Sequence, residues 1–242
     1  MTWLSVDPEV CAAYPALLID AVVADGFAGA APWPSVEDRL AALEAGTAAG
    51  KPLPAGDGDP HIAAWHAAYR GFGTNPRRQR PSVDALRRRL ARTGRLPRIN
   101  PAVDCYNLIS ASYGVPAGAF DLDQVIGDIV VGRADGSAEF TPLGEPGTVE
   151  TPRPGEVVYT DALGVLTRHW NHRDAERTKV TQASTRIVFL LETVDADAFG
   201  YDVSKASAAL ITLLAERAPR VSSGQLTPAC PATELTARHP AR

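Results

Sequence analysis

The sequence has few of the residues that disulfide frameworks and metal centres require. Its 242 residues include only three cysteines, Cys11, Cys105 and Cys230, which lie far apart and show no CxxC spacing. An odd number of scattered cysteines argues against a disulfide framework and against a cysteine-based zinc site. We therefore expect reduced thiols in a cytoplasmic protein.

Several catalytic signatures are also missing. The sequence contains no GxSxG turn, no Walker A pattern and no GxGxxG after a strand, so neither a hydrolase triad nor nucleotide chemistry is indicated. His169 and His172 resemble a metal-binding pair. If the preceding strand continues through them, however, alternation places them on opposite faces, and no other histidine cluster supplies a third ligand. Cys105 lies between apolar residues in a predicted helix, which favours a core position over a nucleophile. We expect no metal and no organic cofactor.

Long hydrophobic runs are absent as well. No segment approaches the roughly 18–20 apolar residues that a membrane span needs. The N-terminal stretch MTWLSVDPEV carries two acids and no basic leader, which predicts no signal peptide. With 45% hydrophobic and 21% charged residues, the composition is typical of a soluble globular protein. No membrane partner is expected.

What the sequence does contain is a concentration of arginine. The net charge is −4, yet ten arginines and one acid, Asp84, lie between residues 70 and 98, so this stretch carries 10 − 1 = +9. The segment SVDALRRRLARTG predicts a helix over 82–94, with Ser82 as N-cap and Gly94 as the terminal glycine. Clustered arginine is typical of nucleic-acid binding. The predicted RNA-binding residues are Arg77, Arg78, Arg80, Arg88, Arg89 and Arg92.

The remaining patterns predict an α+β fold, with a mixed sheet and packed helices, because strands and helices follow one another without regular βαβ repetition. Helices are predicted over 61–73, 103–114 and 204–218, and strands over 16–27, 124–133, 137–144, 156–161, 164–170 and 186–192. An Asp135–Gly136 turn is typical of a tight hairpin. We expect residues 1–60 to pack as an extension on the domain of residues 61–218. Residues 219–242 have few large apolar side chains and are expected to be a disordered tail.

One stretch carries a family resemblance. Residues 98–123 read R-I-N-x-x-V-D-x-x-N and then G-x-P-x-x-A-F-D-L-D, a pattern that closely resembles the B3/B4 domain of the phenylalanyl-tRNA synthetase β subunit. The later segments VVYTDALGVLTRHW and DAERTKVTQASTRIVFLLE follow in the same order, so the resemblance covers about residues 60–193. It implies the B3/B4 editing-domain fold in a freestanding protein.

In the synthetase this domain hydrolyses tRNA that carries a near-cognate amino acid. The resemblance therefore implies a trans-editing hydrolase that deacylates mischarged aminoacyl-tRNA, with tRNA as partner and neither DNA nor membrane. An aminoacyl ester is already activated, so a positioned water and a stabilised oxyanion can suffice. One alternative is a non-catalytic RNA- or amino-acid-binding module. A second is a small-molecule hydrolase whose arginines attract an anionic substrate.

The first half of the resemblance supplies substrate-binding candidates. Arg98 and Asn100 are candidates to hold the terminal ribose or carbonyl, and Asn107 to point into the cleft. Asp104 is a candidate for orienting its neighbours, although a helix cap explains it equally well. Asp121 and Asp123 are either ligands of the substrate amine or turn caps.

The polar stretch HWNHRDAERTKVT (169–181) supplies the others. Asn171, His172 and Glu176 are the catalytic, water-positioning candidates. Arg173, Thr178 and Lys179 are expected to support the substrate. The synthetase pattern has a glycine-rich turn here, whereas this chain has bulkier residues. The resemblance therefore implies a pocket that is shaped for a different amino acid than tyrosine.

Overall fold

The computed structural model describes residues 2–51, 53 and 55–236. The helices are α1 (Pro8–Ala13), α2 (Pro34–Ala48), α3 (Pro60–Gly71), α4 (Ser82–Thr93), α5 (Pro101–Tyr113) and α6 (Ala196–Leu214). The strands are β1 (Trp3–Val6), β2 (Leu18–Asp25), β3 (Ala117–Asp121), β4 (Ile129–Arg133), β5 (Val157–Asp161), β6 (Gly164–Arg168), β7 (Arg173–Asp174), β8 (Arg186–Thr193), β9 (Arg220–Leu226) and β10 (Ala232–Glu234). A short 3-10 turn, Gly56–Gly58, precedes α3.

The strands form two sheets. The larger has the order β10-β1-β4-β5-β6-β7 and is mixed, since β1 and β4 are parallel while its other neighbours are antiparallel. The smaller has the order β3-β8-β2-β9 and is antiparallel throughout. The mixed α+β fold predicted from the sequence is confirmed.

The smaller sheet lies in the middle of the molecule because its two central strands are apolar on both faces. In β2, Val22 and Ala24 pack into a cluster with the helices, whereas Ile19, Ala21 and Val23 pack into a cluster with the larger sheet. β8 alternates in the same way. Successive strand side chains point to opposite faces. A strand with a near-continuous hydrophobic run is therefore apolar on both faces, and β2 and β8 lie buried between two layers.

The helices α3, α4 and α5 begin and end close to the predicted bounds, whereas α6 begins eight residues before its predicted start and α2 was not predicted. Gly94 and Gly114 end α4 and α5 with φ of 71° and 74°, the left-handed conformation that glycine adopts at low cost. The N-caps differ from the predictions. Pro81 precedes α4 in the N-cap position and Ser82 is its first residue. Asn100, not Asp104, caps α5, and its Oδ1 accepts from the Val103 N–H at 3.0 Å.

Three predictions of local structure are wrong. The predicted strand over 137–144 does not form, and only isolated bridges at Phe140 and Pro142 occur there. The Asp135–Gly136 turn does not form a tight hairpin, because β4 pairs with β5 across the long connection 134–156. The predicted disordered tail is ordered through residue 236. β9 pairs with β2 along its whole length, and β10 pairs with β1. Backbone hydrogen bonding to an open strand edge holds this segment, so it needs few apolar side chains; residues 237–242 lie outside the described part.

Candidate functional site

The turn that follows β6 has an unusual backbone. His169 and Trp170 have φ of 48° and 65°, a conformation that non-glycine residues adopt rarely and that concentrates at functional sites. The Trp170 N–H donates to the Val157 carbonyl at 2.7 Å, and the Trp170 side chain is fully buried. The strand therefore ends at Arg168, and the chain reverses around an anchored indole.

The reversal brings the two histidines together. Their ring centroids lie 5.7 Å apart, so the prediction that His169 and His172 occupy opposite faces is wrong, because the strand does not continue through them. Among the described residues no group of three or more histidine, cysteine, aspartate or glutamate side chains is placed to hold a metal ion.

The histidines line a polar cleft of about 560 Å³, which we call the outer cleft. Its charged and imidazole side chains are Arg78, Glu150, Arg153, Glu156, Arg168, His169, His172 and Arg173. Four arginines against two glutamates give 4 − 2 = +2. A cleft with this charge attracts anions, and its low-dielectric walls strengthen the attraction.

The arginines of the outer cleft differ in their partners. Arg168 holds Glu156 through two hydrogen bonds of 3.0 and 2.8 Å and Glu150 through one of 2.5 Å. Burial raises the pKa of Glu156, but the hydrogen bonds from Arg168 outweigh it, and the net pKa is lowered. Arg78 and Arg153 form no ion pair with any described residue. These two guanidinium groups are available to an anionic ligand.

His172 is held as a neutral imidazole. Its Nδ1 lies 2.8 Å from the Arg80 carbonyl oxygen, which can only accept, so Nδ1 carries the proton and Nε2 has a free lone pair. Burial lowers the pKa of His172. His169 contacts the Thr74 hydroxyl at 2.9 Å, and burial lowers its pKa to about 4. His172 therefore has the protonation state of a general base at neutral pH.

His172 also lines a second cavity, of about 110 Å³, which we call the inner pocket. Aromatic walls come from Tyr106, Phe120, Tyr159 and Trp170, and polar groups from Ser82, Asn107, Thr167, Asn171, His172, Asp174 and Glu192. The pocket lies between α5, the β6–β7 turn and the central strand β8.

Unpaired polar atoms are concentrated in the inner pocket. Five buried atoms that line it make no hydrogen bond of normal geometry: Ser82 Oγ, the Tyr159 hydroxyl, Trp170 Nε1, Asn171 Nδ2 and Glu192 Oε2. The Tyr159 hydroxyl and the Trp170 N–H nevertheless lie near enough to Glu192 to oppose the rise in its pKa that burial causes. Buried polar atoms in folded proteins are nearly always hydrogen-bonded, and an unpaired one costs about 1–3 kcal/mol. Such a set of atoms around one cavity is the arrangement expected of a ligand site.

The carboxyl groups of the inner pocket are in different states. Glu192 is 2% exposed, and burial raises its pKa to about 8. Burial also raises the pKa of Asp174 to about 6, although the Thr167 hydroxyl donates to it at 2.7 Å. Near neutral pH Glu192 is mostly protonated and can donate, whereas Asp174 is mostly ionised and can accept.

Asn171 is oriented by a buried tyrosine. The Tyr69 hydroxyl donates to Asn171 Oδ1 at 2.7 Å, which leaves the amide nitrogen as the free end of the side chain. Tyr69, Tyr159, Trp170, Asp174 and Glu192 were not predicted from the sequence. An acid at the end of the apolar run RIVFLLE is the signal that marks Glu192, since carboxylates are rarely buried without a purpose.

The structure places some predicted site residues together. Asn107, Asn171 and His172 line the inner pocket, and Arg173 lines the outer cleft with Arg78. Arg173 also contacts Glu145 at 2.7 Å.

The other predicted site residues lie apart from both cavities. Glu176 contacts Lys179 and accepts from the Gly144 N–H at 2.8 Å, so its position does not support a catalytic role. Arg98 pairs with Glu37 and Glu44, Asp104 accepts from the Ile99 N–H, and Thr178 is buried elsewhere. Asn100 caps α5, Asp121 accepts from Ser184, and Asp123 pairs with Arg186.

The arginines of the predicted RNA-binding surface fall into two groups, those with an ion-pair partner and those without one. Asp84 is fully buried, and its carboxylate lies 2.8 Å from Arg88 and 3.8 Å from Arg80. These two arginines therefore have a structural partner. In the part of the chain that is described, Arg77, Arg89 and Arg92 are exposed and have no ion pair. The unpaired charge lies on these three side chains and on Arg78.

The comparison with protein families agrees with the resemblance found in the sequence. The model of the B3/4 domain family matches residues 64–215, and the chain belongs to this family. Among solved structures it is similar to an N-terminal fragment of the phenylalanyl-tRNA synthetase β-subunit from Pyrococcus horikoshii, with 16% identity and a TM-score of 0.45. The match covers 88% of this chain and 48% of that one, so the chain spans about half the length of the fragment. No curated protein matches the chain.

None of the helices in the described residues combines the length and the apolar character that crossing a bilayer requires.

Proposed function

We propose that the protein deacylates mischarged aminoacyl-tRNA, with the terminal nucleotide in the outer cleft and the amino acid in the inner pocket. The observation that carries this proposal is the position of His172, which lines both cavities. An ester that joins a nucleotide to an amino acid would lie at that junction, beside a neutral imidazole.

The outer cleft suits the nucleotide end of the substrate. Arg78 and Arg153 are free to pair with phosphate oxygens, and guanidinium is well matched to phosphate geometry. Arg77, Arg89 and Arg92 are exposed and form no ion pair with a described residue, so they add positive charge to the protein surface. Contacts of this kind bind the nucleic-acid backbone without reading its sequence.

The inner pocket suits the ester and its amino acid. His172 Nε2 takes a proton from a water molecule, whose oxygen attacks the ester carbonyl carbon. Asn171 Nδ2, which has no partner, donates to the oxygen that becomes negatively charged. The bond from the carbonyl carbon to the ribose oxygen then breaks, and the imidazolium returns the proton to that oxygen. Ionised Asp174 accepts hydrogen bonds from the substrate ammonium group.

The test is a deacylation panel. The purified protein is incubated with tRNAs that carry cognate or near-cognate amino acids, and loss of the labelled ester is followed, alongside tRNA binding at several salt concentrations. Rapid clearance of a mischarged species with cognates spared is the expected result. Salt-sensitive tRNA binding without turnover of any ester would replace the proposal with the non-catalytic binding module. Equal turnover of free amino-acid esters and charged tRNA would contradict a tRNA-specific role.

A further inference from the structure

The inner pocket also contains polar groups that the proposed mechanism does not use. The Tyr159 hydroxyl comes from β5, the Trp170 indole N–H from the β6–β7 turn, and the Glu192 carboxyl from β8. All three side chains are at least nine-tenths buried. The mechanism proposed above uses His172, Asn171 and Asp174 and leaves these three groups without a role.

We propose that these three groups bind a hydroxyl or amide on a small amino-acid side chain, so that the inner pocket selects acyl groups of the serine, threonine or asparagine kind. This inference rests on the proposed function, because it assigns the amino acid of the same substrate. The donors and acceptors of the pocket, its charge and its size support it.

The donors and acceptors favour a neutral polar group. An apolar side chain would offer these groups no partner beyond their loose contacts with one another, and a buried group left unpaired costs about 1–3 kcal/mol. An ammonium group could not accept from the Trp170 N–H, which is only a donor. A carboxylate would lie in one small cavity with ionised Asp174, and like charges at such a separation repel strongly. A hydroxyl or amide oxygen can accept from Trp170 and Tyr159, and its own hydrogen can be donated.

The size of the pocket favours a short side chain. A water molecule needs about 10–15 Å³ of such a cavity, so the 110 Å³ of the inner pocket hold roughly seven to eleven atoms of that size. This room is enough for a seryl, threonyl or asparaginyl group. A complete tyrosyl group exceeds this room, and the side chains of Tyr106, Phe120, Tyr159 and Trp170 already form the walls.

The test compares isosteric ligands that cannot be deacylated easily. The probes are 3′-amino-3′-deoxyadenosine carrying threonine, valine or tyrosine through an amide bond, and calorimetry gives each Kd. Threonine and valine differ only in a hydroxyl replacing a methyl group. The threonyl probe is expected to bind at least about tenfold more tightly than the valyl probe, in keeping with one satisfied buried partner.

Two tyrosine variants localise the effect. Tyr159→Phe removes the pocket hydroxyl and should reduce the threonyl preference to about threefold or less. Tyr113→Phe removes a hydroxyl at the C-terminal end of α5, outside the pocket, and should leave the preference unchanged. If Tyr159→Phe does not fold, the threonyl to valyl ratio of the wild-type protein decides alone.

The outcomes separate this inference from the proposed function. Equal or tighter binding of the valyl or tyrosyl probe by the wild-type protein would overturn the assignment of a small polar acyl group. A clear threonyl preference in a protein that deacylates no tRNA would retain the assignment and overturn the catalytic proposal.

Discussion

The outer cleft and the inner pocket meet at His172, yet they treat polar groups in opposite ways. In the outer cleft the buried glutamate is matched by Arg168, and the remaining charge lies on open guanidinium groups. In the inner pocket buried neutral donors and acceptors are left without partners. The outer cleft is therefore suited to bind charged groups, whose attraction water and salt can screen. The inner pocket is suited to form a few specific hydrogen bonds away from water.

The difference separates affinity from selectivity. Attraction between exposed charges acts at long range, weakens with salt and does not distinguish one acyl group from another. A buried hydrogen-bonding site discriminates strongly, because a ligand without the matching group leaves protein atoms unpaired. In the proposed enzyme the outer cleft therefore supplies tRNA binding, and the inner pocket supplies the choice of amino acid.

The largest effect is expected at the junction of the two cavities. His172→Asn keeps a side-chain N–H for the Arg80 carbonyl and removes the Nε2 base, so kcat should fall about 10²–10⁴-fold while tRNA binding changes little. Since burial lowers the pKa of His172, wild-type kcat/KM should fall with acid only below about pH 6.5. Single-turnover deacylation between pH 5 and 8 measures the loss of rate in the variant and the pH dependence of the wild-type protein.

His169 provides the contrast for that experiment. It lines the outer cleft but not the inner pocket, and its ring contacts Thr74. His169→Asn should have a much smaller effect on kcat than His172→Asn. Equal losses of kcat in the two variants would contradict the assignment of the base to His172.

The second largest effect is expected on the free energy of unfolding, and it depends on a single side chain of the inner pocket, Glu192. Burial raises the pKa of Glu192 to about 8 from an ordinary 4.5. An acid whose pKa is raised on folding stabilises the native state when protonated, so its contribution is complete below about pH 4.5 and is lost as the pH rises towards 8. Glu192→Gln replaces the acid by an amide that does not ionise, so the variant does not lose this stability as the pH rises. Its melting temperature should exceed that of the wild-type protein at pH 8 by an amount that disappears near pH 5.

The matched variant for this measurement is Glu145→Gln. Glu145 is an exposed partner of Arg173, and exposed ion pairs contribute about 0–1 kcal/mol. Its melting temperature relative to the wild-type protein should therefore depend little on pH. A Glu192→Gln difference that is constant from pH 5 to pH 8 would show that Glu192 does not titrate as its burial implies.

Much of the fold follows from local signals, and the inner pocket does not. The runs LIDAVVAD and RIVFLLE predict β2 and β8 because both faces are apolar, and Gly94 and Gly114 predict two helix ends. In contrast, the positive φ of His169 and Trp170 has no glycine to indicate it. Trp170 is anchored by aromatic partners distant in the sequence, with its ring centroid 5.2 Å from Trp65 and 4.8 Å from Tyr14.

The arginine stretch shows how a charge count misleads. Asp84 and Arg88 are four residues apart within α4, so their contact follows from helix geometry. Arg80 approaches the same carboxylate from the segment that precedes the helix. Counting +9 over the stretch treats all of its arginines as equivalent. The distinction between paired and unpaired side chains needs the tertiary structure, because Arg98 finds its partners more than fifty residues away, in α2.

The smallest effect is expected for the arginines of the outer cleft. It tests whether their attraction for tRNA is weakened by salt. Arg78→Ala and Arg153→Ala each remove a guanidinium that has no protein partner, so each should weaken tRNA binding about tenfold or less and leave kcat at saturation nearly unchanged. Each should also make the slope of log K against log salt less steep by about 0.7, the value for one contact to single-stranded phosphate.

Arg186→Ala is the control, since Arg186 pairs with Asp123 and lines neither cavity. If the slope does not change in either cleft variant, or changes equally in Arg186→Ala, the nucleotide does not bind in the outer cleft. The separation of affinity from selectivity would then fail, because the inner pocket alone would have to hold the substrate.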